Sequence, residues 1–462
     1  MTLYKYQRRA VKKMLALGAR GLLSMEMGTG KSLVAITMAR HLPDCRKILV
    51  VAPLSAAGVW RREVRKWAPG ARTMTCTQGS IARRALKLLR LAHRKASNRV
   101  FVIVGYESFW REPLRKAIIN YQPDMIIYDE GHRLKGRGTR QSRFAHTLTS
   151  KHILALTGTP FPNGPEDAFS LFKAIDPSVF GTRWVDFEDR YIIRGGFQRY
   201  QIIGYRNLPE FEQRIADHSF RITKAEALDL PPQVDVEIPV TLSKKARAIY
   251  DKLSKEAIAE IEAFDGSQGI ALSRIVLTNI IRLQQVASGF VRVEDGRILD
   301  FDTSKLDMLS DLLRDALDAA GRVVVFCRFR HDVDAVSAVA RRLIGDHVYR
   351  IDGRVDPRDR EAQLAWFRTF EPAVLVGQMQ VASLSIDLTC AHVGIFFSRD
   401  YSLLNFDQAR GRLHRHGQKQ KVTYYHLVAD QTIDENIYQA LLKKDKLQRS
   451  LLDARRAKEF FS

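Results

Sequence analysis

The chain has 462 residues, 45% of them hydrophobic, which is enough apolar material for two α/β domains with inserted helices and excludes a disordered polyelectrolyte. Lysine and arginine number 74 against 51 acidic residues, a formal net charge of +23. A surplus this large repels itself and is offset by a polyanion that releases condensed counterions, although charge alone does not choose between DNA, RNA and an acidic membrane.

The opening residues, MTLYKYQRRAVKKM, form no apolar signal core, and no run approaches the roughly 18 apolar residues of a membrane span. Cys45, Cys76, Cys327 and Cys390 are far apart and lack the CxxC spacing of a metal site. They read as buried small hydrophobes in a reducing compartment, so a cytoplasmic protein without membrane partners is expected.

The first strong local signal is Leu22-Leu23-Ser24-Met25-Glu26-Met27-Gly28-Thr29-Gly30-Lys31-Ser32, followed by the helical LVAITMARHL. Glycines let the backbone wrap a phosphate tightly, with Gly28, Thr29 and Gly30 forming the loop. Lys31 reaches the β- and γ-phosphates, and the Ser32 hydroxyl ligates magnesium. The general pattern places a glycine where Met25 stands.

Continuously apolar runs follow at 47–52 (KILVVA), 100–104 (VFVIV), 124–128 (DMIIY) and 152–156 (HILAL), alternating with amphipathic helical stretches. Such runs predict parallel strands covered by helices on both faces. Asp129-Glu130 comes directly after MIIY, at the strand end where doubly wound sheets bind ligands. Asp129 there can hold magnesium through water and Glu130 can polarise an attacking water, while His132 is expected to satisfy its neighbours rather than act as a base.

After about residue 165 the rhythm breaks into aromatic and basic clusters and long helices, with a tether near Leu230-Pro231-Pro232. Strands resume at 322–327, 347–351, 373–377, 392–397 and 422–428, and residues 431–455 close the chain as helix. The expected organisation is a nucleotide-binding lobe over 1–225 with a helical insertion from about 166. A linker and insertion follow over 226–303, then a second lobe over 304–430 and a helical segment over 431–462.

These motifs together resemble the Swi/Snf group of superfamily-two helicase-like ATPases. The resemblance starts at Leu3-Tyr4-Lys5-Tyr6-Gln7, where it implies that Gln7 reads adenine. It continues through GTGKS, Ala52-Pro53-Leu54-Ser55 with Trp60, Glu63 and Trp67, Gly105-Tyr106-Glu107, DEGH and Leu156-Thr157-Gly158-Thr159-Pro160. The most specific match is Gln408-Ala409-Arg410-Gly411-Arg412-Leu413-His414-Arg415-His416-Gly417-Gln418. The fold so implied is two RecA-like parallel-sheet lobes with helical insertions, using ATP and Mg2+. Thr157 and Thr159 would couple nucleotide state to lobe movement, Gln408 would help hold the nucleotide, and Arg412 and Arg415 would bring guanidinium charge across the interlobe cleft to the γ-phosphate. Two departures stand out: DEGH for the commoner DEAH, and Val381-Ala382-Ser383-Leu384-Ser385-Ile386-Asp387-Leu388-Thr389 where the family has a glycine-rich loop.

The same resemblance implies a monomeric translocase on double-stranded DNA. Such a motor grips the phosphate backbone, the one repeating feature independent of sequence. Ser55, Tyr106, Arg328 and Thr389 are the candidate contacts, with Trp60-Arg61-Arg62, Arg83-Arg84 and Arg341-Arg342 broadening the footprint. The GRLHRHGQ segment and its sequel also resemble annealing and fork-remodelling enzymes, and the compact chain resembles bacterial or phage members with replication or recombination partners. Rival readings are a strand-separating DNA or RNA helicase and a DNA clamp with a dispensable ATPase.

Overall fold

The computed structural model describes residues 3–92, 98–195, 201–262, 269–293, 295–380 and 386–452. The chain divides into two compact units, residues 1–229 with 444–462 and residues 230–443.

The strands of the first unit are β1 (Arg20–Met25), β2 (Lys47–Ala52), β3 (Arg72–Cys76), β4 (Val100–Gly105), β5 (Met125–Asp129), β6 (His152–Thr157), β7 (Ile192–Gly195), β8 (Gln201–Tyr205) and β9 (Ser219–Ile222). A seven-stranded parallel sheet has the order β3-β4-β2-β5-β6-β1-β9, and β7 and β8 form a separate antiparallel pair. The pleat explains why β2 is apolar throughout. Ile48 and Val50 pack with Leu23, Ile103 and Ile127 on one face, while Leu49 and Val51 pack with Leu22, Val102 and Ile126 on the other. Burying each such side chain stabilises the sheet by about 1.5–3 kcal/mol.

In the second unit the strands are β10 (Gln233–Val240), β11 (Phe290–Arg292), β12 (Ile298–Asp300), β13 (Arg322–Cys327), β14 (Val348–Ile351), β15 (Ala373–Gln378), β16 (Val393–Phe396) and β17 (Val422–Ala429). Six form a parallel sheet, β10-β17-β16-β13-β15-β14. Two parallel-sheet lobes with helical insertions, the helices Lys244–Glu262 and Gly269–Ala287 among them, are therefore the architecture.

Some strands were not legible as apolar runs. β10 directly follows the prolines taken as a tether, and it reads QVDVEIPV because an edge strand buries alternate residues only lightly. Its Asp235 faces Arg410 at 2.6 Å and His426 at 2.9 Å, so acids are stabilising on that strand. β3 also lies at a sheet edge, and its RTMTC sequence is correspondingly polar. No helix among the described residues is long and apolar enough to cross a membrane.

Candidate functional site

In the first sheet β5, β6 and β1 are neighbours, so the loops leaving their C-terminal ends converge. Ser24 pairs with Thr157, and Leu156 with Asp129. Chain order separates Ser24 from Thr157 by more than a hundred positions; sheet order brings them to one edge.

Between β1 and the helix Lys31–His41 the backbone turns through Gly28 at φ 87° and Gly30 at φ 83°, left-handed conformations that glycine adopts at no steric cost. A Cβ on Gly30 would lie 2.5 Å from Gln7 Nε2. Thr29 is fully buried and its hydroxyl donates to the Glu26 carbonyl at 2.7 Å, which closes the loop on itself. The Lys31 ammonium donates to the carbonyls of Met25 at 2.8 Å and Glu26 at 3.3 Å, and Ser32 occupies the next helical position. A glycine-rich turn, a helix N-terminus and an ammonium thus stand within eight residues, the groups an oxyanion requires.

Gln7 serves this loop directly. Its Nε2 donates to the Thr29 carbonyl at 3.2 Å and its Oε1 accepts the Tyr4 N–H at 3.1 Å, while the Tyr6 hydroxyl donates to the same Thr29 carbonyl at 2.9 Å. Beside it a cavity of about 450 Å³ is lined by Tyr4, Tyr6, Arg9, Phe220, Arg221 and Glu226, among others. Tyr4 and Tyr6 stack with their rings 5.8 Å apart. This mixture of aromatic faces and polar groups suits a planar heterocycle next to the phosphate loop.

Across the edge, Asp129 ends β5 and Glu130 follows in a left-handed conformation, φ 52°, a strained position for a side chain of this size. Asp129 Oδ2 accepts the Trp60 indole N–H at 2.7 Å, and Oδ1 accepts the Glu130 N–H at 3.1 Å. Burial, and then the Glu130 charge, raise the Asp129 carboxyl above the usual carboxylate range, against the opposing pull of the Trp60 bond and Lys31. A carboxylate desolvated this way gains by meeting a cation.

His132 is buried, and burial with the charges of Arg133, Lys135 and Lys31 pushes its imidazole down to about 3, so it is neutral. Its Nδ1 lies 3.4 Å from Glu130 Oε2 and 3.0 Å from Thr157 Oγ1, and Thr157 Oγ1 accepts the Thr159 N–H at 3.2 Å. A continuous line runs Glu130, His132, Thr157, Thr159. Gly131 sits against β6: a Cβ there would meet the Ala155 Cβ at 2.9 Å. The departure from DEAH, which supplies no chemical group, therefore has a packing reason.

In the second unit the helix Leu403–Leu413 is capped by Ser402, whose hydroxyl accepts the Asn405 N–H at 3.2 Å. Gln408 and Arg412 are buried in it. The segment that follows is fastened to residues 386–391. The Leu388 N–H donates to the Arg412 carbonyl at 3.1 Å, Arg415 Nη1 to Ile386 at 3.4 Å, and Gln418 Nε2 to the carbonyls of Ala391 at 2.9 Å and Thr389 at 3.3 Å. Arg410 serves the fold, bonding Asp235 and lying over the rings of Phe406 and Tyr424.

The candidate nucleic-acid contacts divide by exposure. Ser55 is exposed on the turn Leu54–Ala56, and Thr389 is half-buried with its hydroxyl donating to Asp387 Oδ1 at 2.9 Å. Arg328 is half-buried, stacked on Phe329 and bonded to Gln284. Tyr106 is fully enclosed, edge-on to Phe109, so its ring is core rather than surface. Residues 381–385 of the departing loop lie outside the described residues.

Sequence reading placed Trp60 in a basic cluster of the DNA footprint, whereas its indole is buried against Asp129, and it left Tyr6 and the cavity beside Gln7 unassigned. A tryptophan five residues after the segment APLS is the signal that pointed to the first, and it does not reveal which carboxylate the indole meets.

The chain is similar to known proteins over most of its length. The SNF2-related domain matches residues 6–289, and the helicase conserved C-terminal domain residues 304–417. The uncharacterized ATP-dependent helicase MG018 of Mycoplasma genitalium is 27% identical over 464 residues, covering 97% of this chain and 42% of its own length. The DNA annealing helicase and endonuclease ZRANB3 of Homo sapiens is 26% identical over 469 residues, covering 99% and 41%. The chain thus spans about two fifths of the length of these relatives. A solved structure, the Sulfolobus solfataricus SWI2/SNF2 ATPase core in complex with dsDNA, aligns with 21% identity and a TM-score of 0.44, covering 98% of this chain and 95% of that one. With the SNF2-related domain matched over more than half its length and the C-terminal helicase domain after it, the chain belongs to the SNF2-related family of helicase-like ATPases.

Proposed function

We propose that the chain hydrolyses ATP to move along double-stranded DNA. The observation that carries this reading is the convergence of Lys31, the Asp129-Glu130 pair and the His132-Thr157-Thr159 line on one edge of a parallel sheet. Gly28, Thr29, Gly30 and Lys31 cradle the phosphates, Gln7 braces that loop from the base side, and Ser32 with Asp129 holds magnesium. When bound there, magnesium would supply positive charge to the phosphate oxygens. Glu130 orients and polarises the attacking water, held in place by neutral His132, which passes its position on to Thr157 and Thr159.

Gln408, Arg412 and Arg415 belong to the other lobe in this reading. Guanidinium charge from Arg412 and Arg415 completes the stabilisation of the γ-phosphate, and its removal elsewhere costs on the order of 10³–10⁵ in rate. Hydrolysis then withdraws the charge that held them, which makes each turnover a conformational cycle. The fastening of Arg415 and Gln418 to residues 386–391 supports a link between that cycle and DNA contacts at Thr389. Ser55 and Arg328 are further proposed contacts.

The relatives' names support a setting in DNA metabolism. An annealing helicase and bacterial ATP-dependent helicases stand among them, which favours replication, repair or recombination, with annealing or fork remodelling as the activity. A monomer acting in the cytoplasm is part of the same proposal. ATP turnover of the R412A/R415A chain, measured at saturating duplex, tests the two-lobe chemistry. Loss of at least 10³-fold is expected; turnover within a few fold of the unaltered chain would remove the arginines from the mechanism.

A further inference from the structure

We infer that Trp60 is a positioning residue for the magnesium carboxylate, an inference that rests on the nucleotide-site reading above. Its indole is only 1% exposed, and the N–H of an enclosed tryptophan needs a partner. The partner is Asp129 Oδ2, at 2.7 Å. Asp129 Oδ1 carries a longer bond, from the Glu130 N–H at 3.1 Å, and an sp² oxygen so engaged keeps a second lone pair. Oδ2 likewise accepts one bond and keeps a lone pair, so the indole fixes the carboxylate rotamer without closing either oxygen to the cation. A carboxylate held this way does not need to be reordered when the cation arrives.

The geometry is specific to this indole. On the same helix, Ala57–Trp67, Trp67 donates its own N–H to Glu63 Oε2 at 2.7 Å, four residues back. Two tryptophans thus bind carboxylates at equal distance, and only Trp60 reaches the sheet edge. Trp67→Phe is consequently a control that removes the same chemistry from the same helix.

The test is Mn2+ binding to the full chain with a non-hydrolysable ATP analogue, read from the electron paramagnetic resonance of free Mn2+, so that no turnover is needed. W60F should weaken nucleotide-dependent Mn2+ binding by about 10-fold or more, the usual effect of losing a partner of a metal ligand, while W67F leaves it unchanged. Equal affinity in folded W60F and the unaltered chain overturns the inference and spares the nucleotide site. Absence of nucleotide-dependent Mn2+ binding in the unaltered chain overturns both. Should W60F fail to fold by circular dichroism, ¹⁵N-indole labelling of the unaltered chain decides. The Trp60 resonance, identified by elimination with W67F, W110F, W184F and W366F, should shift when Mg2+ joins the bound analogue, and an unmoved resonance overturns the inference.

Discussion

At the scale of single residues, the site depends on conformations and protonation states that few side chains could provide. Gly30 combines φ 83° with a neighbour, Gln7 Nε2, 2.5 Å from where a Cβ would stand. Gly30→Ala should destabilise the first unit by about 1–2 kcal/mol from backbone conformation alone and weaken nucleotide binding, checked by urea unfolding and by titration with a fluorescent ATP analogue. Lys31→Ala should lower ATP turnover by on the order of 10²-fold or more, since it deletes a preorganised charge at the phosphates. His132 gives a pH signature. Its folded-state value of about 3 lies below the ordinary ~6.5, so between those limits the unfolded chain takes up a proton that the folded chain refuses. Its contribution to stability is complete above pH 6.5 and is lost progressively as pH falls. The drop in Tm from pH 7 to pH 5 should accordingly be smaller in His132→Gln, though not abolished, because His426 is pushed down to about 4 by its own burial. An unchanged drop would mean that His132 is not held neutral.

At the scale of elements, the first unit works by juxtaposing strand ends, and the turn that follows β5 is fitted to β6. Gly131 faces Ala155 with 2.9 Å between the Ala155 Cβ and a Cβ added to Gly131. Gly131→Ala should therefore overpack this contact and cost about 1–3 kcal/mol, and Ala155→Gly in the same chain should recover part of that loss. A null interaction between the two substitutions in denaturant melts would show that the strands simply move apart. The apolar runs KILVVA, VFVIV and HILAL made the core strands readable because both faces are buried. The placement of GTGKS before a helix and of DE at a strand end was equally readable, since loop glycines and a carboxylate after an apolar strand mark those positions. What sequence could not give was partnership across the sheet: the Trp60 bond to Asp129 joins residues 69 apart, and His132 meets Thr157 25 residues on. β10 was missed because an edge strand with one lightly buried face alternates acids with valines. Tyr106 was taken for a surface contact because its motif says nothing of the Phe109 ring that encloses it.

At the scale of the whole molecule, a net charge of +23 and two parallel-sheet lobes accord with the proposed motor on a polyanionic track. Binding to duplex should be indifferent to sequence and steeply dependent on salt, log K falling with log salt by about 0.9 per phosphate contacted. Fluorescence anisotropy with unrelated duplexes of equal length checks this, and a marked sequence preference would point to base readout instead. The central claim, that duplex DNA drives ATP turnover, is tested most directly by the hydrolysis rate of the chain with duplex, single-stranded DNA and RNA of equal length. The account predicts strong stimulation by duplex, rising with its length, and little by the others. Turnover indifferent to duplex, or greater with single strands or RNA, would contradict it.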